Sequence, residues 1–358
     1  MAPWVLHVDM DQFIAALEVL RNPELTGRAV IVGGSGDPTE RAVVATASYE
    51  AREFGIGSGM PMKIAARKAP DDAIFLPVDH AAYERASASV MATLRALPGV
   101  TVEIIGWDEC FLGVITDDPE ATARRAREAV LAATSLHCSV GIGDNKIRAK
   151  IATRFGKPRG VFRLTEHNWF EVMGERSTRE LWGIGPRVQK RLADHGIRTV
   201  RELADADRAA LIAEFGPKMG VWYGDLGHGR GSAAVDDTPW VARSHSRETT
   251  YQQNLTTVDQ VIDAVRHLAV RAFEDCASER RPVERVHLKV RYAPFDTRTF
   301  GRRMSAPTSD QTEFVTAALE LAATVDAERE VRLLGVRAEM TMPPGRHAVE
   351  RTPVRGRI

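Results

Sequence analysis

The sequence predicts a multidomain α+β protein, and three stretches carry that prediction. An apolar strand near the N-terminus, Trp4 to Val8, runs directly into Asp9-Met10-Asp11. Two further strand-like runs within Val102 to Val114 flank a short break that bears Asp108 and Glu109, the pattern of a β-hairpin with acids at its tip. Beyond residue 243 the periodicities follow the order strand, helix, strand, strand, helix, strand, which is ferredoxin-like.

In chain order, residues 1–10 read as the first strand, and 11–22 as a helix that stops at Asn22-Pro23. Arg28 to Gly33 is strand-like, and Gly33 to Pro38 is a Gly-rich loop. Val43 to Thr46 resumes as strand, Ser48 to Phe54 turns helical up to Gly55, and Pro61 to Lys68 is another short helix. Ala81 to Leu97 is helical, then comes the acidic hairpin, an Ala- and Arg-rich helix at Pro119 to Ser135, and a strand at Leu136 to Ile142. With the first strand, these make an antiparallel-leaning sheet with helices on one face.

From 169 to 230 the pattern is helical. Trp182-Gly183-Ile184-Gly185-Pro186 opens a helix at Val188 to His195. Gly-X-Gly before a proline at a helix start leaves backbone N–H groups exposed at a positive helix end, which suits a DNA phosphate. Such a stretch resembles a helix-hairpin-helix; the plainer alternative is a Gly-rich turn. Residues 231–242 read as a linker. Then come strand 243–251, helix 256–279, strands 283–292 and 297–305, helix 309–325 and strand 331–341. Along 283–292, Val286, Leu288 and Val290 take one face, and Arg285, His287, Lys289 and Arg291 the other. With Arg298, Arg302 and Arg303 on the next strand, and few interspersed acids, this predicts a basic sheet face suited to phosphates. The tail from Met342 is Pro- and Arg-rich and reads as disordered.

Composition narrows the class. The chain has 358 residues, 44% of them hydrophobic, enough for more than one core. No run is long and apolar enough to span a membrane, and the N-terminus lacks signal-peptide regions. Cys110, Cys138 and Cys276 lie far apart without zinc spacing, as expected of reduced thiols in a cytoplasmic protein. Net charge is zero, yet from Arg243 onward there are 19 Lys and Arg against 16 Asp and Glu, so the remainder is correspondingly acidic. Clustered acids in one region and bases in another give such a cancelling total.

A strand running into acid-X-acid, followed by a hairpin bearing Asp-Glu, offers three or four carboxylates, the ligand set that hard Mg²⁺ ions need when they hold a substrate's phosphates. Each stretch alone is also what a solvated turn looks like. Together they bring a family resemblance into view. Asp9-Met10-Asp11-Gln12-Phe13-Ile14, Ala45-Thr46-Ala47-Ser48-Tyr49-Glu50-Ala51-Arg52, Gly106-Trp107-Asp108-Glu109, and Ser139-Val140-Gly141-Ile142 with Asn145-Lys146 and Lys157-Pro158 stand in the order found in Y-family (translesion) DNA polymerases. The chain resembles the polymerase IV branch of that family over nearly its whole length, to Arg332-Leu333-Leu334-Gly335-Val336.

The resemblance implies a right-hand polymerase. Its ferredoxin-like palm would comprise residues 1–18 and 78–168, with fingers at 19–77 and a helix-hairpin-helix thumb at 169–230. A βαββαβ little finger would follow the linker at 243–341, with the tail at 342–358. It implies a low-fidelity, template-directed polymerase without proofreading, acting on primer-template DNA and dNTPs as a monomer. Two Mg²⁺ ions, or Mn²⁺ in their place, would be held by Asp9, Asp108, Glu109 and the Met10 carbonyl. Asp11 is expected to be structural, capping the following helix. Phe13, Thr46, Tyr49, Arg52 and Lys157 would contact the nucleotide, with Lys146 and Lys150 as weaker candidates; Gly183, Gly185, Arg285, Lys289, Arg291, Arg302 and Arg332 would contact DNA. Val43 and Gly59 would lie over the nascent base pair.

Three departures stand out. Trp107 replaces a small aliphatic residue ahead of the acids. Ile14 stands where relatives carry an aromatic under the incoming sugar, so ribonucleotides (rNTPs) are expected to be tolerated at this gate. Arg351 to Ile358 lacks the Gln-Leu-X-Leu-Phe type of peptide that engages a sliding clamp, which leaves that partner in question. Two other functions fit parts of the pattern. A palm-type nucleotidyl cyclase would share the metal chemistry but has no use for a basic sheet, and a non-catalytic DNA-binding scaffold has no use for the intact carboxylates. Extension of a labelled primer with and without Mg²⁺ separates all three.

Overall fold

The computed structural model describes residues 1–326 and 328–343; most of the expected tail, and the segment compared with a clamp peptide, lie outside the described residues. Strand β1 (Ala2–Met10) leads into α1 (Phe13–Arg21). A small sheet follows, built from β2 (Val30–Val32), β3 (Thr46–Ala47) and, after α2 (Tyr49–Glu53) and α3 (Met62–Lys68), β4 (Ile74–Leu76). Its order is β3-β2-β4, and it closes over Ile31, Val44, Ala47, Ala51, Ile56, Met62 and Ala65.

The chain then returns through α4 (His80–Arg95), β5 (Val100–Ile104), β6 (Glu109–Thr116), α5 (Pro119–Thr134), β7 (Cys138–Gly143), α6 (Lys146–Gly156) and β8 (Val161–Leu164). The five-stranded sheet runs β5-β6-β1-β7-β8, with β1 at its centre, antiparallel to both neighbours. Leu6, Val8 and Met10 face a core shared with Tyr83, Val90, Met91 and Leu94 of α4 and Ala123, Ala126 and Val130 of α5. The other face is not open, as the sequence led us to expect. Helix α6 lies across it, and Val5 and Phe111 are buried against Ala149. The reason is glycine on β7: a Cβ at Gly141 would stand 2.1 Å from the Ala149 carbonyl oxygen. Only a bare backbone lets α6 approach so closely.

Residues 169–230 hold α7 (Trp169–Met173), α8 (Pro186–Asp194), α9 (Val200–Asp205), α10 (Arg208–Phe215) and α11 (Pro217–Gly227). They are joined to the first sheet by buried polar contacts. Arg148 pairs with Asp144 and donates to the His228 carbonyl (3.1 Å), and Asn145 donates to the Gly229 carbonyl (3.0 Å). Residues 231–242 form no helix or strand, yet they are anchored. The Lys146 N–H donates to the Ser232 carbonyl (2.9 Å), the Asp236 N–H donates to Glu103 (2.9 Å), and Val235 packs beside Gly113.

Past the linker come β9 (Ser244–Leu255), α12 (Val258–Ala277), β10 (Val283–Tyr292), β11 (Thr297–Thr308), α13 (Gln311–Ala322) and β12 (Val331–Met340), the expected order of elements. The sheet order is β11-β10-β12-β9, all antiparallel. A ferredoxin-like sheet would place its third strand beside the first. Here the last strand takes that place, because β12 is buried along nearly its whole length and belongs in the interior of the sheet.

Gly141→Ala should destabilise the chain by about 1–3 kcal/mol, since α6 must move off β7. Gly57→Ala, where an added Cβ meets nothing within 4 Å, should stay within about 0.5 kcal/mol. Urea unfolding of the two variants measures both.

Candidate active site

The β1–β6 register sets Asp9 directly opposite Glu109. Asp108 precedes β6 by one residue, and its carbonyl accepts from the Met10 N–H (2.9 Å). Adjacent residues in regular extended strand point to opposite faces. A bend over Gly106 to Asp108, where the Ile105 and Gly106 N–H groups both donate to the Glu109 carbonyl (3.2 Å each), relieves that constraint. Asp9 and Glu109 thereby bring their carboxylates together, and Asp108 lies near enough for both charges to act on it. Trp107 is partly buried against the core, edge-on to His80 (5.6 Å), so this departure from the resemblance leaves all three carboxylates in place.

The two adjacent acids titrate apart. Burial, then the charges of Asp9 and Glu109, push Asp108 up to about 6. Burial also acts to raise Glu109, but the hydrogen bond from His7 and the charge of Lys150 outweigh it and bring that carboxyl down to about 2. Lys150 ion-pairs with Glu109 and Lys157 with Asp9, whereas Asp108 forms no ion pair among the described residues. The cluster is therefore short of positive charge at Asp108, which a divalent cation would supply.

His7 was not among the expected residues. It lies two before Asp9 on β1 and so shares its face, which is the signal the sequence did contain. Its Nε2 lies 3.1 Å from Glu109 and its Nδ1 2.8 Å from the Thr153 hydroxyl. Burial, then Lys150, lowers its pKa and favours the neutral ring. Ligand atoms of His7, Asp9 and Glu109 lie within 4.8 Å of one another. Lys150, weighed as a weak candidate, belongs to this cluster; Lys146 pairs instead with Glu103 (2.5 Å).

Asp11 is structural, but it caps no helix. Gln12 holds the N-cap position of α1 in a left-handed conformation (φ 44), with no side-chain cap bond. Asp11 instead accepts from Tyr49 Oη (3.1 Å), Ser139 Oγ (2.9 Å) and the Arg159 N–H (2.8 Å), tying three segments together. That placement costs Tyr49 a free hydroxyl. Burial, then Asp11, raises its pKa. The Arg52 guanidinium stacks over the Tyr49 ring (5.0 Å) and Nε donates to the Ala47 carbonyl (3.0 Å). Thr46 is buried, while Val43 is exposed. Phe13 and Ile14 are both buried in the large core, Ile14 being 7% exposed, and the Met10 side chain is buried there too, leaving its main chain at the site.

A cleft of ≈ 940 Å³ joins His7, Asp9, Lys150 and Lys157 to Trp182, Gly183 and Gly185. Gly183 sits at φ +92 against Trp222, and Gly185 caps α8 with Pro186 as its first residue.

The C-terminal sheet corrects two expectations. Arg302 stands opposite Val286, on the helix-covered side, and pairs with Glu320; Arg298 stands opposite Val290 on the same side. Arg303, opposite Arg285, belongs to the open face. That face also carries acids supplied by neighbouring strands: Glu248 pairs with Lys289 (2.6 Å) and Glu339 with His287 (3.1 Å). Cross-strand pairing brought in charges that a single strand's alternation does not reveal. Arg291 donates to Thr297 (2.9 Å), and Arg332 lies over the ring of Phe295 (5.1 Å).

Comparison with known proteins places this architecture. Residues 8–154 match the impB/mucB/samB family, and residues 242–347 match that family's C-terminal domain. The chain is 47% identical over 341 residues to DNA polymerase IV 2 of Mycobacterium tuberculosis strain H37Rv, covering 94% of this chain and 98% of that protein. It is 34% identical to DNA polymerase IV of Desulfatibacillum aliphaticivorans, covering 95% and 86%. Among solved structures, the Y-family DNA polymerase chimera Dbh-Dpo4(243-245)-Dbh superposes with a TM-score of 0.82 at 25% identity, over 94% of this chain and 98% of that one. An insertion ternary complex of Dbh DNA polymerase gives 0.65 over the same shares. Family match, sequence identity and architecture thus agree, and the chain belongs to the impB/mucB/samB family, within the polymerase IV branch of the Y-family DNA polymerases.

Proposed function

We propose that this chain is a template-directed DNA polymerase that extends a primer with dNTPs, at low fidelity and without proofreading. One observation carries the reading: Asp9, which faces Glu109 across the strand pair, lines the same cleft as the Gly183–Gly185 loop, so the acidic cluster opens onto the space that holds a phosphate-binding loop. The donor set is all hard oxygen apart from His7, and Asp108 lacks a counter-charge, which fits Mg²⁺, with Mn²⁺ as a substitute. Asp9, Asp108, Glu109 and the Met10 carbonyl would hold two such ions, which would supply a lowered pKa at the primer hydroxyl and charge stabilisation for an in-line displacement.

The remaining work falls to side chains of this chain. Asp9 and Glu109, fixed by strand pairing, are ion-paired with Lys157 and Lys150 respectively. His7 and Thr153 fix the orientation of Glu109 from beneath. Lys157 and Arg52 supply positive charge to a triphosphate, Lys as a point charge and Arg as a two-pronged donor. Gly183 and Gly185 offer main-chain donors to a primer phosphate at the start of α8. On the C-terminal sheet, Arg285 and Arg337 form no ion pair among the described residues and are exposed, so they are free for DNA phosphates.

Primer extension with and without Mg²⁺ tests the reading; product that forms without metal, or no product at all, overturns it. Asp108→Asn should reduce extension by on the order of 10²-fold or more while leaving primer-template binding nearly intact. It should also stabilise the metal-free protein. A carboxyl raised above its ordinary value costs stability once it ionises, a cost that appears as pH rises through 3.8 to about 6 and is complete above that. The Asn variant should therefore melt higher than the native chain at pH 8 without divalent cation, with the gap closing toward pH 4.

Ribonucleotide use follows from the same site. Ile14, packed into the core, presents no flat ring edge beneath the incoming sugar, and an apolar wall rejects an added hydroxyl by only about 10²-fold. Native protein should incorporate rATP far better, relative to dATP, than Ile14→Tyr; equal exclusion by the two proteins removes Ile14 from the gate. Truncation after Ala242 should weaken DNA binding and flatten the plot of log K against log salt, because each lost phosphate contact removes about 0.9 from the slope.

A further inference from the structure

The fingers-side loop between β2 and β3 touches the C-terminal sheet, and cations gather where they meet. The Arg41 N–H donates to Gln252 Oε1 (2.6 Å), and its guanidinium donates to the Tyr251 carbonyl (3.1 Å) and Asn254 Oδ1 (2.6 Å). Arg332 on β12 sits in the register shift between the Arg291–Leu333 and Tyr292–Val331 pairs, beside Arg291 of β10, and burial, then the charges of Arg41 and Arg291, lower its pKa. The partners these arginines do have are neutral: carbonyls, an amide, the Thr297 hydroxyl and the Phe295 ring. Among the described residues none of the three forms an ion pair. The acids nearest in sequence are engaged elsewhere, Asp296 with Arg298 and Arg329, and Glu330 with Asn254. Three cations held together without an anion repel one another, and the arrangement makes sense once an anion lies between them.

Phe295 tells what kind of anion. It sits in the hairpin turn between β10 and β11, is 66% exposed, and has the Arg332 guanidinium over its ring, which leaves ring surface open to solvent. An exposed aromatic beside phosphate-binding arginines is the arrangement that stacks unpaired bases. Bases in a duplex are already stacked on their neighbours and have no face to offer. The anion is therefore part of a single strand.

We propose that Phe295, with Arg332, Arg291 and Arg41, forms a binding subsite for an unpaired nucleotide of the template strand ahead of the active site: the ring stacks the base and the guanidinium groups hold its phosphate. This rests on the polymerase reading above. Because Arg41 and Arg332 come from opposite sides of the seam, the same phosphate draws the loop and the sheet together.

The test uses the full chain and two primer-templates of identical duplex, one with a template overhang of a single nucleotide and one with six. Native protein should bind the longer overhang about tenfold more tightly, the effect of one stacked and clamped nucleotide. Phe295→Ala should lose that preference while keeping its affinity for the short overhang, and Phe295→Trp should retain it. A 2-aminopurine placed in the unpaired stretch should be quenched by native protein and by the Trp variant, but not by the Ala variant. The inference is overturned if Phe295→Ala keeps the overhang preference, or if it weakens both substrates equally, which would place the ring on duplex DNA. Native protein that extends primers but shows no overhang preference also overturns it; native protein that extends none overturns the polymerase reading instead.

Discussion

The antiparallel pairing of β1 with β6 is the constraint on which the rest of the molecule depends. It fixes Asp9 opposite Glu109 and, through the bond from Met10 to the Asp108 carbonyl, brings a third carboxylate beside them. Gathering three acids at the edge of a buried sheet is unfavourable by itself, because burial and like charge both resist ionisation. The strand register can impose it because the strands are held by their apolar side, where Leu6, Val8 and Met10 meet two helices.

Helix α6 then decides how that electrostatic cost is shared. Crossing the opposite face on the bare backbone of Gly141, it brings Lys150 to Glu109 and Thr153 to His7. Glu109 and Asp9 are compensated, and Asp108 is left in deficit. The site is thus built with one carboxylate in want of a cation. The same helix carries Asn145 and Arg148, which grip the main chain at Gly229 and His228, so the catalytic sheet and the helical segment share a single element. That sharing is why Asp9 and the Gly183–Gly185 loop line one cleft.

The C-terminal sheet shows the limit of one-strand arguments. Alternation along β10 assigned Arg285, His287, Lys289 and Arg291 to one face correctly. It could not show that β12 and β9 would set Glu339 and Glu248 among them, nor which face of β11 would carry Arg302 and which Arg303. The useful charge of that face is smaller than the strand alone implied, and it shifts toward Arg285 and Arg337.

By itself the sequence determined the elements, their order and the acidic residues, because strand and helix periodicity, turn residues and ordered motifs are local properties of the chain. It also marked Ile14 and Trp107 as departures, which needs no coordinates. Only the tertiary structure decided what lies between elements distant in the chain. His7 beneath Glu109, Asp11 as a tie among Tyr49, Ser139 and Arg159, β12 inside its sheet, and Arg41 against Tyr251 and Asn254 are all of this kind. Each depends on sheet order or on the approach of a helix to a sheet. Those are set by which surfaces bury most and by where a missing Cβ allows close contact, and neither can be read from a residue's neighbours along the chain.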